Sequence, residues 1–317
     1  MGARELANTV HALAKLDHRD DDFMAVLLKE AKPRLRDFKP QELANTALAL
    51  AKLQHYDSTF MAELLEATTP LLHIFNSQDV ANTAWALATL GHTDEAFMAA
   101  LLQTALPRLH DSKPQMLSNT LWALATLGHT DGAFMAALLK QAMPRLRDFT
   151  PQALSNTLWA LATLGHTNGA FMAALLKAAV PRLCEFTAQA LAKIAWALAT
   201  LGHTDGAFMA ALLKEAKPRL GDFIPQALAN AAWALAALDH ANDAFMAALL
   251  QQAAGVVPSL EAQQLNQLFM CELWLKDQHS DVAVPAQLGA ACKKAWMEER
   301  DKLQPSRVQL EVLAVVR

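Results

Sequence analysis

Long apolar runs are missing from this chain. Nothing in it approaches the roughly 18–20 consecutive hydrophobic residues of a bilayer-crossing helix, so no membrane span is expected. Cysteine is scarce and odd in number. Cys184, Cys271 and Cys292 lie far apart, which excludes a disulfide framework and fits a reducing compartment. Glycine (11) and proline (13) are too few among 317 residues for disorder or an all-β fold. A basic excess is also lacking: the formal net charge is −4, which by itself counts against nucleic acid. The charge is uneven, however. Between Lys113 and Asp222, ten Lys/Arg outnumber six Asp/Glu, so the middle is mildly basic and the ends are acidic. There is no glycine-rich phosphate loop, no Cys/His pairing at ligand spacing and no serine-centred elbow. Neither an enzyme, a cofactor nor a small-molecule substrate is expected. Residues 1–6 carry neither a signal-peptide core nor an Arg/Ser-rich transit segment. They enter a helical pattern at once, so the chain is expected to begin inside a longer array.

What is present is a repeat. The pair Phe-Met recurs at Phe23, Phe60, Phe97, Phe134, Phe171, Phe208 and Phe245, every step being 37 residues. Asn8, Asn45, Asn82, Asn119, Asn156, Lys193 and Asn230 fall on the same step, as do His18, His55, His92, His129, His166, His203 and His240.

One unit explains the fold. Thr150 can cap a helix, Pro151 suits its first position, and Phe149 and Leu154 occupy the two places of a hydrophobic staple. The first helix runs to Leu164, Gly165 supplies a left-handed stop, and a second helix begins near Gly169 and bends or ends at Pro181. Leu154, Leu158 and Leu161 share one stripe, and Phe171, Leu175 and Ala179 another. A lone hairpin cannot bury both, so neighbours must stack. The expected fold is all-α, a right-handed α-solenoid of helical hairpins. It comprises about seven units over residues 3–254, the first incomplete, and a degenerate helical cap over 255–317 with helices near 261–276 and 285–302.

The unit Pro-Gln-Ala-Leu-Ser-Asn-Thr-Leu-Trp-Ala-Leu-Ala-Thr-Leu-Gly at 151–165 resembles the octotricopeptide repeat, a family of organellar RNA-binding α-solenoids. Related forms stand at 43–51 and 80–88, and the resemblance covers about residues 4–254. The tail at 305–312 resembles the segment that leads into a RAP domain in this family and in FAST-kinase-type mitochondrial proteins; the RAP domain itself is absent from this chain. The period is one residue shorter than the family's, and Thr-Asp-Gly-Ala-Phe-Met stands where the family's second helix often opens with Glu-Trp. The resemblance implies single-stranded RNA as partner, possible company of ribonucleoprotein components, and a chloroplast or mitochondrial location. It also implies a role in RNA processing (rRNA included), mRNA stability or translation.

The residues themselves offer an RNA surface. Ser155, Asn156, Trp159 and Thr163 lie opposite the leucine stripe, and single-stranded RNA is read by stacking on aromatics and by hydrogen bonds from amides and hydroxyls. Candidate RNA-binding residues are therefore Asn45, Asn82, Asn119, Asn156, Lys193 and Asn230, with Trp85, Trp122, Trp159, Trp196 and Trp233. Ser118 and Ser155 join them because their position, alanine in other units, varies as a reader of sequence must. The competing expectation is that tryptophan fills gaps between units and asparagine ties neighbouring backbones together. Arg108, Arg145, Arg182 and Arg219 recur after a proline, with Lys29, Lys140, Lys177 and Lys214 on the second helices. They form either a phosphate-contacting stripe or a solvated face in which Arg145 pairs with Asp148 and Arg182 with Glu185. The histidines lie about one hairpin apart, roughly 8–10 Å, far beyond the ~2 Å reach of a shared metal ion. Asp94 and Asp131 read as helix caps. The functional alternatives to RNA binding are a protein-binding scaffold of HEAT or armadillo type and a spacer within a longer protein.

Overall fold

A computed structural model describes residues 2–302; the segment 305–312 lies outside them. The described chain is all-α, sixteen helices in hairpins at a step of about 37 residues. The first helices of the hairpins are α1 (Ala3–Lys15), α3 (Pro40–Leu53), α5 (Ser77–Leu90), α7 (Pro114–Leu127), α9 (Pro151–Thr163), α11 (Ala188–Thr200), α13 (Pro225–Ala237) and α15 (Ala262–Asp277). Their partners are α2 (Asp21–Ala31), α4 (Ser58–Thr68), α6 (Glu95–Ala105), α8 (Gly132–Ala142), α10 (Gly169–Ala179), α12 (Gly206–Ala216), α14 (Asp243–Gly255) and α16 (Ala286–Lys302). α15 begins 37 residues after α13, so the register outlasts the sequence signature; α16 starts six residues later than the step would place it.

The punctuation is local and repeated. At each second helix from α2 to α14 an Asp or Asn caps the phenylalanine amide three residues on: Asp94 Oδ1 accepts from Phe97 and Asp131 Oδ1 from Phe134, both at 2.9 Å. The first helices stop at a left-handed residue. Gly165 has φ +61°, and the next amide, of His166, returns to the carbonyl of Leu161 at 2.9 Å, closing a Schellman turn. Each of α2, α4, α6, α8, α10 and α12 ends in six residues of 3-10 helix opened by a proline, such as Met143–Asp148 after α8. Proline removes the amide that a further α-helical turn would need.

The chain falls into two compact units that divide between Arg182 and Leu183. In the first, α1, α3, α5, α7 and α9 lie side by side in chain order, while α4, α6, α8 and α10 pack against the 3-10 segment that precedes each of them. In the second, α11, α13 and α15 lie side by side and α16 closes on α15. Each unit is a stretch of helical solenoid. The core lies between the two layers, where Leu154, Leu158, Leu161 and Phe171 are fully buried. Burial of one such side chain stabilises by about 1.5–3 kcal/mol, and the fourth hairpin repeats the set in Leu117, Leu121, Leu124 and Phe134.

Candidate nucleic-acid interface

One side of each first helix stays uncovered. On α9 it carries Gln152, Asn156, Trp159 and Thr163, at i, i+4, i+7 and i+11 along one face. Gln152 and Thr163 are exposed, whereas Asn156 and Trp159 are half-buried. The same places are held by Gln41, Asn45 and Leu48 on α3, Gln78, Asn82 and Trp85 on α5, and Gln115, Asn119 and Trp122 on α7. In the second unit they are held by Gln189, Lys193 and Trp196 on α11 and by Gln226, Asn230 and Trp233 on α13. Within each unit the ridge is a row of amides beside a row of indoles.

The two expectations for tryptophan meet here. Trp85 and Trp122 lie with ring centroids 6.2 Å apart and planes inclined by 31°; for Trp122 and Trp159 the values are 6.4 Å and 33°. Each ring therefore packs on the next hairpin and still keeps surface open to solvent. These separations are nearly twice the ~3.4 Å rise of stacked bases, so bases lying on successive indoles would be splayed apart.

The amides are oriented by their own row. Gln115 Nε2 donates to Asn119 Oδ1 at 2.9 Å, and Gln226 Nε2 donates to Asn230 Oδ1 at 2.8 Å. On α7 this leaves the Asn119 amino group and the Gln115 carbonyl on the open face, one donor beside one acceptor. Toward α15 the pairing becomes a network, in which Gln267 Nε2 also donates to Asn230 Oδ1 and Gln264 Nε2 to Gln226 Oε1, each at 3.2 Å. The glutamines were missed in the sequence, although from Gln41 onward they recur on the 37-residue step four residues before each asparagine or Lys193.

Residues 91–266, more than half of the chain, match the family described as Tbc2 translation factor, N-terminal domain. The chain belongs to this family. The matched span includes the first helices α7, α9, α11 and α13, with Trp122, Trp159, Trp196 and Trp233. No curated protein matches the chain.

Two groups of expected site residues in this Tbc2-family chain stand elsewhere. Ser118 and Ser155 are 1% and 2% exposed, and their hydroxyls donate to Ala153 O and Gln152 O, both at 3.0 Å. A step of one residue turns a helical side chain by about 100°, which takes them from the ridge into the packing between first helices. They reach no ligand on the ridge.

The arginines are tied to main chain rather than held out for phosphate. Arg108 donates to the carbonyls of Phe75 and His73, Arg145 to that of Ser112 (2.6 Å), Arg182 to that of Phe149 (2.6 Å) and Arg219 to that of Phe186. All four clasp a residue 33 positions upstream, at the end of the preceding 3-10 segment. A charged donor on a carbonyl there fastens one hairpin to the one before it. Lys29, Lys140, Lys177 and Lys214 are exposed on the second helices, the other layer.

Among the described residues no group of three or more His, Cys, Asp or Glu could hold a metal ion, and no helix is long and apolar enough to cross a membrane. Cys271 and Cys292 are buried, and burial pushes both thiols up to about 12. Lys193 sits in the amide row, and burial lowers its pKa.

Proposed function

We propose that this chain binds single-stranded RNA selectively along the glutamine–asparagine–tryptophan ridge and thereby acts in translation of organellar transcripts, in chloroplast or mitochondrion. Service in transcript stability or processing, with ribonucleoprotein components as company, would use the same contacts. The observation that carries this reading is the half-open indole that recurs on α5, α7, α9, α11 and α13, set beside an amide that is held in a fixed orientation on α7 and α13. Indoles supply stacking worth about 1–3 kcal/mol per base, and amides supply donors and acceptors for base edges. Family membership supports the translation role, and the octotricopeptide resemblance supports RNA as ligand and the organelle as location.

With the arginines engaged, binding rests mainly on stacking and amide contacts. The test is selection from a random RNA pool followed by titration of the winning sequence. The expected result is one short enriched motif of about one nucleotide per hairpin, with a shallow salt dependence. Each neutralised phosphate on a single strand contributes a slope of about −0.7 in log K against log salt, and only a few should register. Trp122→Leu, which keeps an apolar filler, should weaken binding by about 1–3 kcal/mol without unfolding the chain. Failure of any RNA to enrich would remove the reading.

One observation favours a protein partner instead: Met270, Leu273, Trp296 and Met297 are exposed on α15 and α16. Partners captured equally well after nuclease treatment would support that scaffold role.

A further inference from the structure

The sixth hairpin departs from the ridge pattern in both of its polar members. On α7 and α13 the glutamine turns along its own helix to hold the asparagine oxygen. On α11 the glutamine turns away: Gln189 Nε2 donates to the carbonyl of Asp222, 33 residues downstream, at 3.0 Å. Four residues on, where the other units of the array carry asparagine, stands Lys193, half-buried on the same face as Trp196. The following threonine is also replaced, by Ile194, which is buried at 1% exposure.

The chemistry of the place changes accordingly. An asparagine–glutamine pair offers one donor and one acceptor, which suits a base edge that presents the complement of both. An ammonium has three donors and no acceptor. Beside an indole that takes the base face, it rewards an edge carrying adjacent acceptors. Guanine has such an edge in O6 and N7, and cytosine a second one in N3 and O2; lysine or arginine on guanine O6 and N7 is the commonest specific contact to a base edge, and guanine is the better fit. Adenine places its amino group beside either ring acceptor of that edge, cytosine places one beside N3, and uracil presents its carbonyls on either side of an N–H.

We infer that Lys193, with Trp196 beneath the base, is a specificity-determining residue, and that the nucleotide held by the sixth hairpin is a guanosine. The inference rests on the RNA-binding reading above. Burial lowers the pKa of Lys193.

The test compares selections from one random RNA pool by the wild-type chain and by Lys193→Asn, which restores the residue of the neighbouring units and so preserves folding. Wild type should enrich one invariant guanosine at the position assigned to this hairpin. In the variant that position should change to the base preferred by the asparagine units, with the rest of the motif unchanged. Titration of the wild-type motif against its inosine, adenosine, cytidine and uridine versions at that position should show inosine tolerated and the other three about 5- to 150-fold weaker, a range corresponding to roughly 1–3 kcal/mol. A motif that is identical for both chains overturns the assignment while leaving RNA binding intact. So does a uniform loss of affinity whose salt slope drops by about one phosphate, which would make Lys193 a backbone contact. If wild type enriches nothing, the RNA reading fails and the guanosine assignment falls with it.

Discussion

Arg145 reaches back across one hairpin to the carbonyl of Ser112 and holds it at 2.6 Å, while its Nε donates to Gln141 in its own unit at 2.8 Å. The same guanidinium was a candidate for phosphate, and its geometry makes it a clasp. Removing it strands a partly buried carbonyl. Arg145→Ala should cost about 1.5–3 kcal/mol in urea unfolding, the range for a hydrogen bond to a charged group. Affinity for the selected RNA, measured well below the unfolding midpoint, should stay within about twofold.

Ser112 is itself an exception. Phe38, Phe75, Phe149, Phe186 and Phe223 occupy its place in other hairpins, all of them buried. Where the ring is missing, a small cavity lies against Phe75, Val80, Leu109, Thr120 and Phe134. Ser112→Phe should fill it and raise stability by about 1 kcal/mol, less than full burial of a ring because neighbours must shift. The check is the denaturant midpoint at unchanged slope; a lower midpoint would mean that the site has already collapsed.

Four first helices among the described residues end on a non-glycine residue in the left-handed region, among them Gln54 at φ +55° and Asp239 at φ +51°. A side chain there costs about 1 kcal/mol or more relative to glycine. Gln54→Gly should therefore stabilise by about that amount. Asp239→Gly should gain less, since Asp239 also accepts from Trp274 Nε1 at 2.9 Å. Thermal unfolding of the two variants side by side would order them.

The thiols separate cleanly. Cys184 is exposed, while Cys271 lies with its sulfur 3.4 Å from that of Met246 and Cys292 is 1% exposed. Native protein should give up one thiol to a labelling reagent and unfolded protein three. Both buried thiols have folded pKa values raised to about 12 from an ordinary value of 9. Unfolded chains therefore release these protons first, and stability should fall as pH climbs from 9 towards 12. Cys271→Ala should flatten that fall, read as the urea midpoint between pH 8 and 10.5.

Much of this was legible in the residues because each hairpin repeats its own instructions. The spacing of Phe171 and Leu175 reported a helical face, Gly165 reported the stop, and Asp131 reported a cap; each acts within a few residues of itself. The side of a helix that a residue faces was less legible. Ser155 and Asn156 are neighbours, and only the packing of adjacent first helices decides that serine is sealed in while asparagine stays at the surface. The arginine clasps were out of reach for another reason: Arg182 and Phe149 meet only once two hairpins have stacked. The persistence of register into α15 left a fainter trace, in Leu265-Asn266-Gln267-Leu268 echoing Leu228-Ala229-Asn230-Ala231, because most other residues of the repeat are replaced there.

The clasps all point one way, from a later hairpin to an earlier carbonyl. During vectorial synthesis, then, Phe75, Ser112 and Phe149 each wait for an arginine that leaves the ribosome one hairpin later. The four clasped seams, from the second hairpin to the sixth, therefore close in chain order, like a zipper whose slider travels with the nascent chain.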